Sequence, residues 1–406
     1  MKFSHIADCH IGSWREEKMN NLSTQAFLKA MGISMEKQVD FILIAGDIFN
    51  TSLPAIEKLK AATKKLKEVQ EKEIPVYIIP GSHDFSATGK TMLDVLENAG
   101  LMINVMKGAV TEQNKIQLKF TQDKKTGAKI TGVLGRKGSL ERKYYEAIDP
   151  TNIEQESGFK IFLFHSAIAE LKPKELEKME AQPISYLPKD CDYYAGGHVH
   201  IVKHTSLDGY KNIVYPGPLF PNSFTELEKL KHGGFYLYDN GALQYIPIII
   251  HPVKSIAIEA KQESAAAINA RLRKEIETIP AKDAIITIRI SGELSEGKIA
   301  DIDFKAAKEF LEQQGTFFVI KSCTQLKTKE MEHMRIQGEN TAEIEEKVVQ
   351  EHSGQFQSEF LSKELQEKWT EQLIKMLNTE KEEGERIIDF ENRVRKEVSI
   401  VLEVEL

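Results

Sequence analysis

An α/β fold around a largely parallel sheet is what this 406-residue chain predicts. Two observations carry the prediction. Through residues 1–250, short apolar runs suited to buried strands alternate with longer stretches of helical character. Several of these runs stop abruptly at Asp, His or Gly, and the carboxyl ends of parallel strands are where functional residues gather.

In order, residues 3–7 read as a strand ended by Asp8-Cys9-His10, and residues 19–37 as a helix. Residues 39–45 form a second strand, ended by Gly46-Asp47-Ile48-Phe49-Asn50. Ser52 and Pro54 then suit the cap and first turn of a helix running to about Gln70. A third strand, 75–79, ends at Pro80-Gly81-Ser82-His83-Asp84. Shorter strands are expected at 103–106, 116–120 and 130–134, and another at 160–164 ends at His165-Ser166. Tyr193-Tyr194-Ala195 runs into Gly196-Gly197-His198-Val199-His200, and a hairpin-like region at 235–238 and 243–250 closes the series. Residues 251–326 read strand-helix-strand-helix-strand, a small α/β domain. A polar connector, 327–340, leads to a helical region, 341–406.

A 41% hydrophobic, 28% charged composition fits a globular protein with a sizeable core. No apolar run approaches the roughly 20 residues that span a bilayer, so no membrane association is expected. The first residues turn polar too soon for a secretory signal. Cys9, Cys191 and Cys323, odd in number and far apart, argue against a disulfide framework and for a reducing cytoplasm. The net charge of −7 is unevenly spread. Residues 340–406 hold 17 acidic and 9 basic side chains, leaving 44 and 45 for the remainder, so the body of the chain can still present a basic face.

The chemistry lies at five spots, each directly after a predicted strand: Asp8 and His10; Asp47; Ser82 and His83; His165; His198 and His200. Five of the eleven histidines fall there. Residues i and i+2 of an extended segment lean to one side, so His198 and His200 can share a site. Taken alone, such a pair reads equally well as two solvated histidines in a turn. A mixed carboxylate and imidazole set suits Mn, Fe or Zn rather than Ca. The set exceeds what one ion needs, whereas two ions sharing a bridging carboxylate would use it all. Two-metal sites of that kind supply an activated water and neutralise phosphoryl oxygens during in-line displacement.

Asp8-x-His10, Gly46-Asp47-x-Phe49, Gly81-Ser82-His83-Asp84, His165 and Gly197-His198-x-His200 resemble, motif by motif and in order, the calcineurin-like metallophosphoesterases. Within them, residues 41–47, 86–94 and 215–218 look like the archaeal branch of the meiotic-recombination-eleven family of DNA double-strand-break repair nucleases, SbcD in bacteria. The resemblance covers the first 250 residues well and the tail only in general character. It implies a metallophosphoesterase-type β-sandwich flanked by helices, with a small α/β capping domain and a helical C-terminal tail. It implies two manganese ions, one held by Asp8, His10, Asp47 and His200. The other would be held by Asp47 as bridge, the Ser82 position, His165 and His198, with His83 protonating the leaving oxygen. The implied activities are a 3′-to-5′ exonuclease on duplex ends and an endonuclease on single strands. The implied partners are DNA, a second copy of the chain, and an SMC-like ABC ATPase gripped by the C-terminal helices.

Two departures matter. The family motif usually carries Asn at Ser82, and the shorter hydroxyl predicts a weaker second metal. Many relatives carry His at Asn50, which bears on the balance of exonuclease and endonuclease. The basic segment 135–145 offers Arg136, Lys137, Arg142 and Lys143 for phosphate contact, against the plainer reading of a solvated loop and helix. His5 is expected to be a satisfied core or edge histidine of the first strand, and Cys9 a core residue. The rival functions are a small-substrate phosphodiesterase or phosphatase on the same site, and a scaffold with a degenerate site.

Overall fold

The computed structural model describes residues 1–85, 91–136, 140–177, 179–328, 369–370, 372–373, 376 and 387–402. They form two units, the first comprising Met1–Ile256, Ile279–Ile288 and Phe310–Lys321.

Two six-stranded sheets build this first unit. One is ordered Ala242–Ile248, Gly233–Asp239, Lys2–Ile6, Phe41–Ala45, Val76–Ile79, Ile103–Asn104. Its last four strands run parallel, and the other two are antiparallel additions. The other is ordered Lys203–Leu207, Tyr210–Tyr215, Tyr193–Gly197, Lys160–His165, Lys129–Val133, Thr121–Gln122, parallel except at its outer strands.

Alternation along the strands explains why each apolar run is continuous. Phe41 and Leu43 face the other sheet, where they meet a layer holding Ile161, Leu163 and Tyr193. Ile42 and Ile44 point the opposite way, onto Leu22 and Phe27 of the helix Glu17–Glu36 and Leu66 of the helix Ile56–Gln70. Successive side chains of a strand take opposite faces, and both faces here are dry. The second sheet repeats this, with Phe162, Phe164 and Tyr194 turned outward onto Tyr145, Leu171 and Leu187. The architecture is therefore the helix-flanked sandwich that the resemblance implies. Phe3 lies at its centre, stacked on Phe41 (5.0 Å) and Tyr238 (4.6 Å), with the Tyr193 ring edge-on. His5, in the same inner layer, pairs its Nδ1 with the Tyr193 hydroxyl at 3.0 Å. Burial pulls its pKa down to about 3, so it is the neutral core histidine expected. Cys9 is fully buried in the helix-facing core, as expected.

One start differs. The second helix begins at Ile56 and is preceded by Ala55, which makes no side-chain cap. Pro54 disfavours helical backbone at the residue before it, and regular helix sets in only beyond it.

The second unit comprises Ala257–Thr278, Arg289–Glu309 and the described residues from Ser322 on. Residues 251–326, which fall partly in each unit, show the expected series of elements: strands Val253–Ser264, Ile285–Glu296 and Phe318–Thr328 in that sheet order, with helices Ala265–Thr278 and Phe304–Gln313 between them. Most of the connector and tail lies outside the described residues, apart from a helix, Ile387–Leu402. Among the described residues no helix is long and apolar enough to cross a membrane.

Candidate metal centre

The parallel strands deliver their carboxyl ends to one place. Asp8 and His10 follow Lys2–Ile6, Asp47 follows Phe41–Ala45, and Ser82 and His83 follow Val76–Ile79. From the other sheet His165 is the last residue of its strand, and His198 and His200 follow Tyr193–Gly197. Main-chain bonds lace the first two loops together: Asp8 N to Gly46 O, His10 N to Asp47 O and Ile11 N to Ile48 O, at 3.0–3.2 Å. Asp8, His10, Asp47 and His198 all have positive φ, of 49°, 41°, 52° and 83°. Strained backbone of this kind persists where surrounding structure over-determines it, typically at functional sites.

Asp47 is the hub. Its Oδ2 lies 3.2 Å from His165 Nε2, 3.7 Å from His10 Nε2 and 3.3 Å from the Ser82 hydroxyl, which donates to it. Its Oδ1 accepts the His83 main-chain N–H at 2.7 Å. Asp8 accepts the His198 N–H with both oxygens, and its Oδ1 is 4.0 Å from His200 Nε2. Among the described residues three sets of ligand atoms converge: Asp8, His10 and His200; His10, Asp47 and His83; Asp8, Asp47 and His165. The His198 ring joins none of them but lies beside that of His165, with centres 5.2 Å apart.

Hydrogen bonds behind the rings show that a cation fits. His165 Nδ1 is taken by the Ala45 carbonyl (2.8 Å), His83 Nδ1 by the Asn50 carbonyl (2.7 Å) and His200 Nδ1 by the Glu226 carboxylate (3.0 Å). Carbonyl and carboxylate oxygens accept only, so those Nδ1 atoms each carry a proton, and wherever the ring is neutral its Nε2 turns a lone pair inward. His165 Nε2 then faces a carboxylate oxygen, and His200 Nε2 meets His10 Nε2 at 3.1 Å. A lone pair aimed at a carboxylate oxygen 3.2 Å away calls for a cation or a proton between them.

In the metal-free chain protons must serve. Burial pulls His165 down, but Asp47 holds it up to about 10. Burial likewise opposes the charge on His200, which the Glu226 hydrogen bond holds up at about 9. Burial pushes Asp47 up, yet His165 and His10 outweigh it and keep Asp47 ionised. His10 and His198 are pulled down to about 3, chiefly by burial, and stay neutral as ligands must be. A divalent ion satisfies the same acceptors better than a proton, so removing it should cost stability. At a hundredfold excess over Kd, metal adds about 2.7 kcal/mol. The melting temperature should fall by several degrees in chelator, and a curve that ignores manganese would show that the cluster holds no ion.

Glycines let the loops close on this cluster. A Cβ at Gly81 would overlap Asp47, and one at Gly135 would overlap the His165 ring. Gly135 brings Arg136 beside the site, its guanidinium 5.2 Å from the Phe85 ring centre and 5.5 Å from that of Tyr144. Arg142 is drawn instead toward Glu146 (3.6 Å) and the Tyr186 ring (5.9 Å), and Lys143 is exposed. Lys137 lies outside the described residues, as do residues 86–90 of the family-like phrase 86–94.

Two functional carboxylates escaped the sequence reading. Buried Asp84 accepts the main-chain N–H groups of Gly81 (2.8 Å) and Asp47 (2.9 Å) with one oxygen, clamping two ligand loops together. Burial and the Asp47 charge push it up to about 7. Glu226 stands on the helix Phe224–Leu230, whose start was readable in Ser223-Phe224-Thr225-Glu226, a helix-initiating pattern.

The calcineurin-like phosphoesterase family matches residues 1–202, which take in every convergent ligand from Asp8 to His200. Archaeoglobus fulgidus DNA double-strand break repair protein Mre11 is 28% identical over 346 residues, covering 77% of this chain and 76% of that protein. The proteins of the same name from Methanococcus maripaludis and Methanopyrus kandleri are 27% and 28% identical. Those two matches cover 59% and 60% of this chain and only 63% and 55% of the relatives' own lengths. With its ligands converged at the ends of parallel strands, the chain carries a calcineurin-like metallophosphoesterase domain over residues 1–202 and is a metal-dependent hydrolase.

Proposed function

We propose that the chain is a manganese-dependent DNA nuclease of double-strand-break repair, a 3′-to-5′ exonuclease on duplex ends and an endonuclease on single strands. The observation that carries the metal reading is the inward convergence of the His165, His10 and His200 ring nitrogens on Asp8 and Asp47. The Mre11 names of its archaeal relatives favour DNA as the substrate. In this reading Asp8, His10, Asp47 and His200 hold one ion, and Asp47, Ser82, His165 and His198 the other. Such a pair supplies an activated water and neutralises the phosphoryl oxygens. Asp47 is suited to bridging because its Oδ2 lies within 3.7 Å of both His165 and His10. Asp84 keeps the Asp47 and Ser82 loops in register. His83, with Nδ1 fixed on the Asn50 carbonyl, presents Nε2 as the acid that protonates the departing 3′ oxygen. That contact uses the Asn50 main chain, so the lack of a histidine side chain at 50 does not disturb it.

We assign residues 1–250 to the nuclease domain, 251–326 to capping, 327–340 to a linker, and 341–406 to binding an SMC-like ABC ATPase, with a homodimer acting in the reducing cytoplasm. The test is cleavage of linear duplex and circular single-stranded DNA with manganese, with chelator, and by Asp8→Ala and His83→Ala. Metal-dependent cutting lost in both variants supports the proposal. Hydrolysis of a nitrophenyl phosphodiester without DNA cleavage would favour the small-substrate rival, and no hydrolysis at all the scaffold.

Arg136 is the basic residue best placed to meet a phosphate near the centre. Arg136→Gln should weaken duplex binding and reduce the slope of log affinity against log salt by about 0.9, the value for one phosphate contact. An unchanged slope would assign Arg136 to packing against Phe85 and Tyr144.

A further inference from the structure

We propose that Glu226 is a positioning residue that sets how tightly the Asp8–His10–His200 half of the centre holds its ion. The inference rests on the metal reading above and concerns a residue beyond the 202 that the family match covers. Glu226 Oε1 accepts the His200 Nδ1–H at 3.0 Å, and Oε2 accepts the Asn222 main-chain N–H at 2.8 Å. Its own N–H donates to the Ser223 hydroxyl. Both carboxylate oxygens are thus engaged and the side chain is fixed.

The other imidazoles are backed differently. His165 and His83 rest on neutral carbonyls, and His10 Nδ1 is buried with no hydrogen-bond partner. Of these rings only His200 has a carboxylate behind it. Such a partner selects the tautomer, holds the ring plane and makes the facing nitrogen a stronger donor to metal. The segment bearing Glu226 is also tied to the loop that follows His10. Trp14 Nε1 donates to the Pro221 carbonyl at 2.9 Å, while the Asn20 amide donates to the carbonyls of Gly12 and Trp14. The structure therefore braces His200 and the loop after His10 through a carboxylate-bearing segment, whereas the His165 ring rests on the neutral Ala45 carbonyl. Ser82 weakens one half by its short side chain, and Glu226 strengthens the other.

Manganese titration of the metal-free full-length chain by calorimetry reads this without DNA. Glu226→Ala should weaken one of two binding events about 10- to 100-fold and leave the other unchanged. Glu226→Gln keeps an oxygen to accept the Nδ1–H but loses the charge, and should fall between. Weakening confined to a single event is the readout that a merely structural role would not give, because loosening the fold would weaken both. Wild-type affinity in Glu226→Gln, or equal weakening of both events, overturns the proposal alone. If His200→Ala also leaves both events intact, the metal reading falls with it. Should the Ala variant fail to fold, the Gln variant decides.

Discussion

Under the proposed nuclease reading, replacing His83 by glutamine should lower turnover on DNA about 10²- to 10⁴-fold, the usual worth of a positioned general acid, while metal still binds at the same stoichiometry. His83 is fixed at two points, its main-chain N–H on Asp47 Oδ1 (2.7 Å) and its Nδ1 on the Asn50 carbonyl (2.7 Å). The ring stands edge-on to His10 with centres 4.8 Å apart and is the partly exposed member of its convergent set. A departing 3′ alkoxide is a poor leaving group, and a proton delivered from Nε2 removes that difficulty. Glutamine preserves the volume and the polar character but has no proton to give at the operating pH. His83 also belongs to one convergent set with His10 and Asp47, which offers a contrary role as ligand. Metal stoichiometry separates the two. Two ions per chain with slow turnover identify an acid, and loss of one ion identifies a ligand. A DNA substrate with an activated leaving group should recover much of the lost rate only in the first case.

Much of this centre was legible in the sequence because its residues follow directly on apolar runs. A buried parallel strand announces itself by composition, and its first polar residues can go only to the sheet's carboxyl edge. Asp8, His10, Asp47, Ser82, His83, His165, His198 and His200 are all of this kind. Glu226 is not: it reaches His200 from a separate helix 26 residues on, and no local pattern says which ring it will back. Asp84 stood in view inside a recognised motif, but its task is to accept main-chain N–H groups from another loop, which only tertiary structure reveals. The partition into two sheets was hidden for a related reason. Phe41 and Ile42 look alike in sequence, yet one lies between the sheets and the other under a helix. Composition reports that both faces are buried and not what buries them. The strands Lys203–Leu207 and Tyr210–Tyr215 went unread because the first is largely solvent-facing and Lys211 and Asn212 interrupt the second. Their hairpin signal was the Asp208-Gly209 turn, with Gly209 at φ 79°.

The glycine pair ahead of His198 yields the second large effect. Gly197→Ala should destabilise the chain by about 1–3 kcal/mol, the usual cost of overpacking, and should also weaken metal binding in the His165 half. Gly197 pairs in register with His165 on the neighbouring parallel strand. A Cβ there would overlap the Ala45 carbonyl oxygen and come 2.8 Å from His165 Nδ1. That same carbonyl accepts the His165 Nδ1–H and so aims Nε2 at Asp47. Main chain cannot rotate aside as a flexible side chain can, so relief must come by moving the strand, the ring or both. Gly196→Ala is the control. Its Cβ would come 2.6 Å from Phe164 and 2.9 Å from Tyr215, ring atoms of the outer core that touch no ligand-orienting bond. Both variants should unfold at lower urea, and only Gly197→Ala should lose affinity for an ion. Equal metal binding by the two would mean that Gly197 serves strand packing alone and that the Ala45 carbonyl does not orient His165.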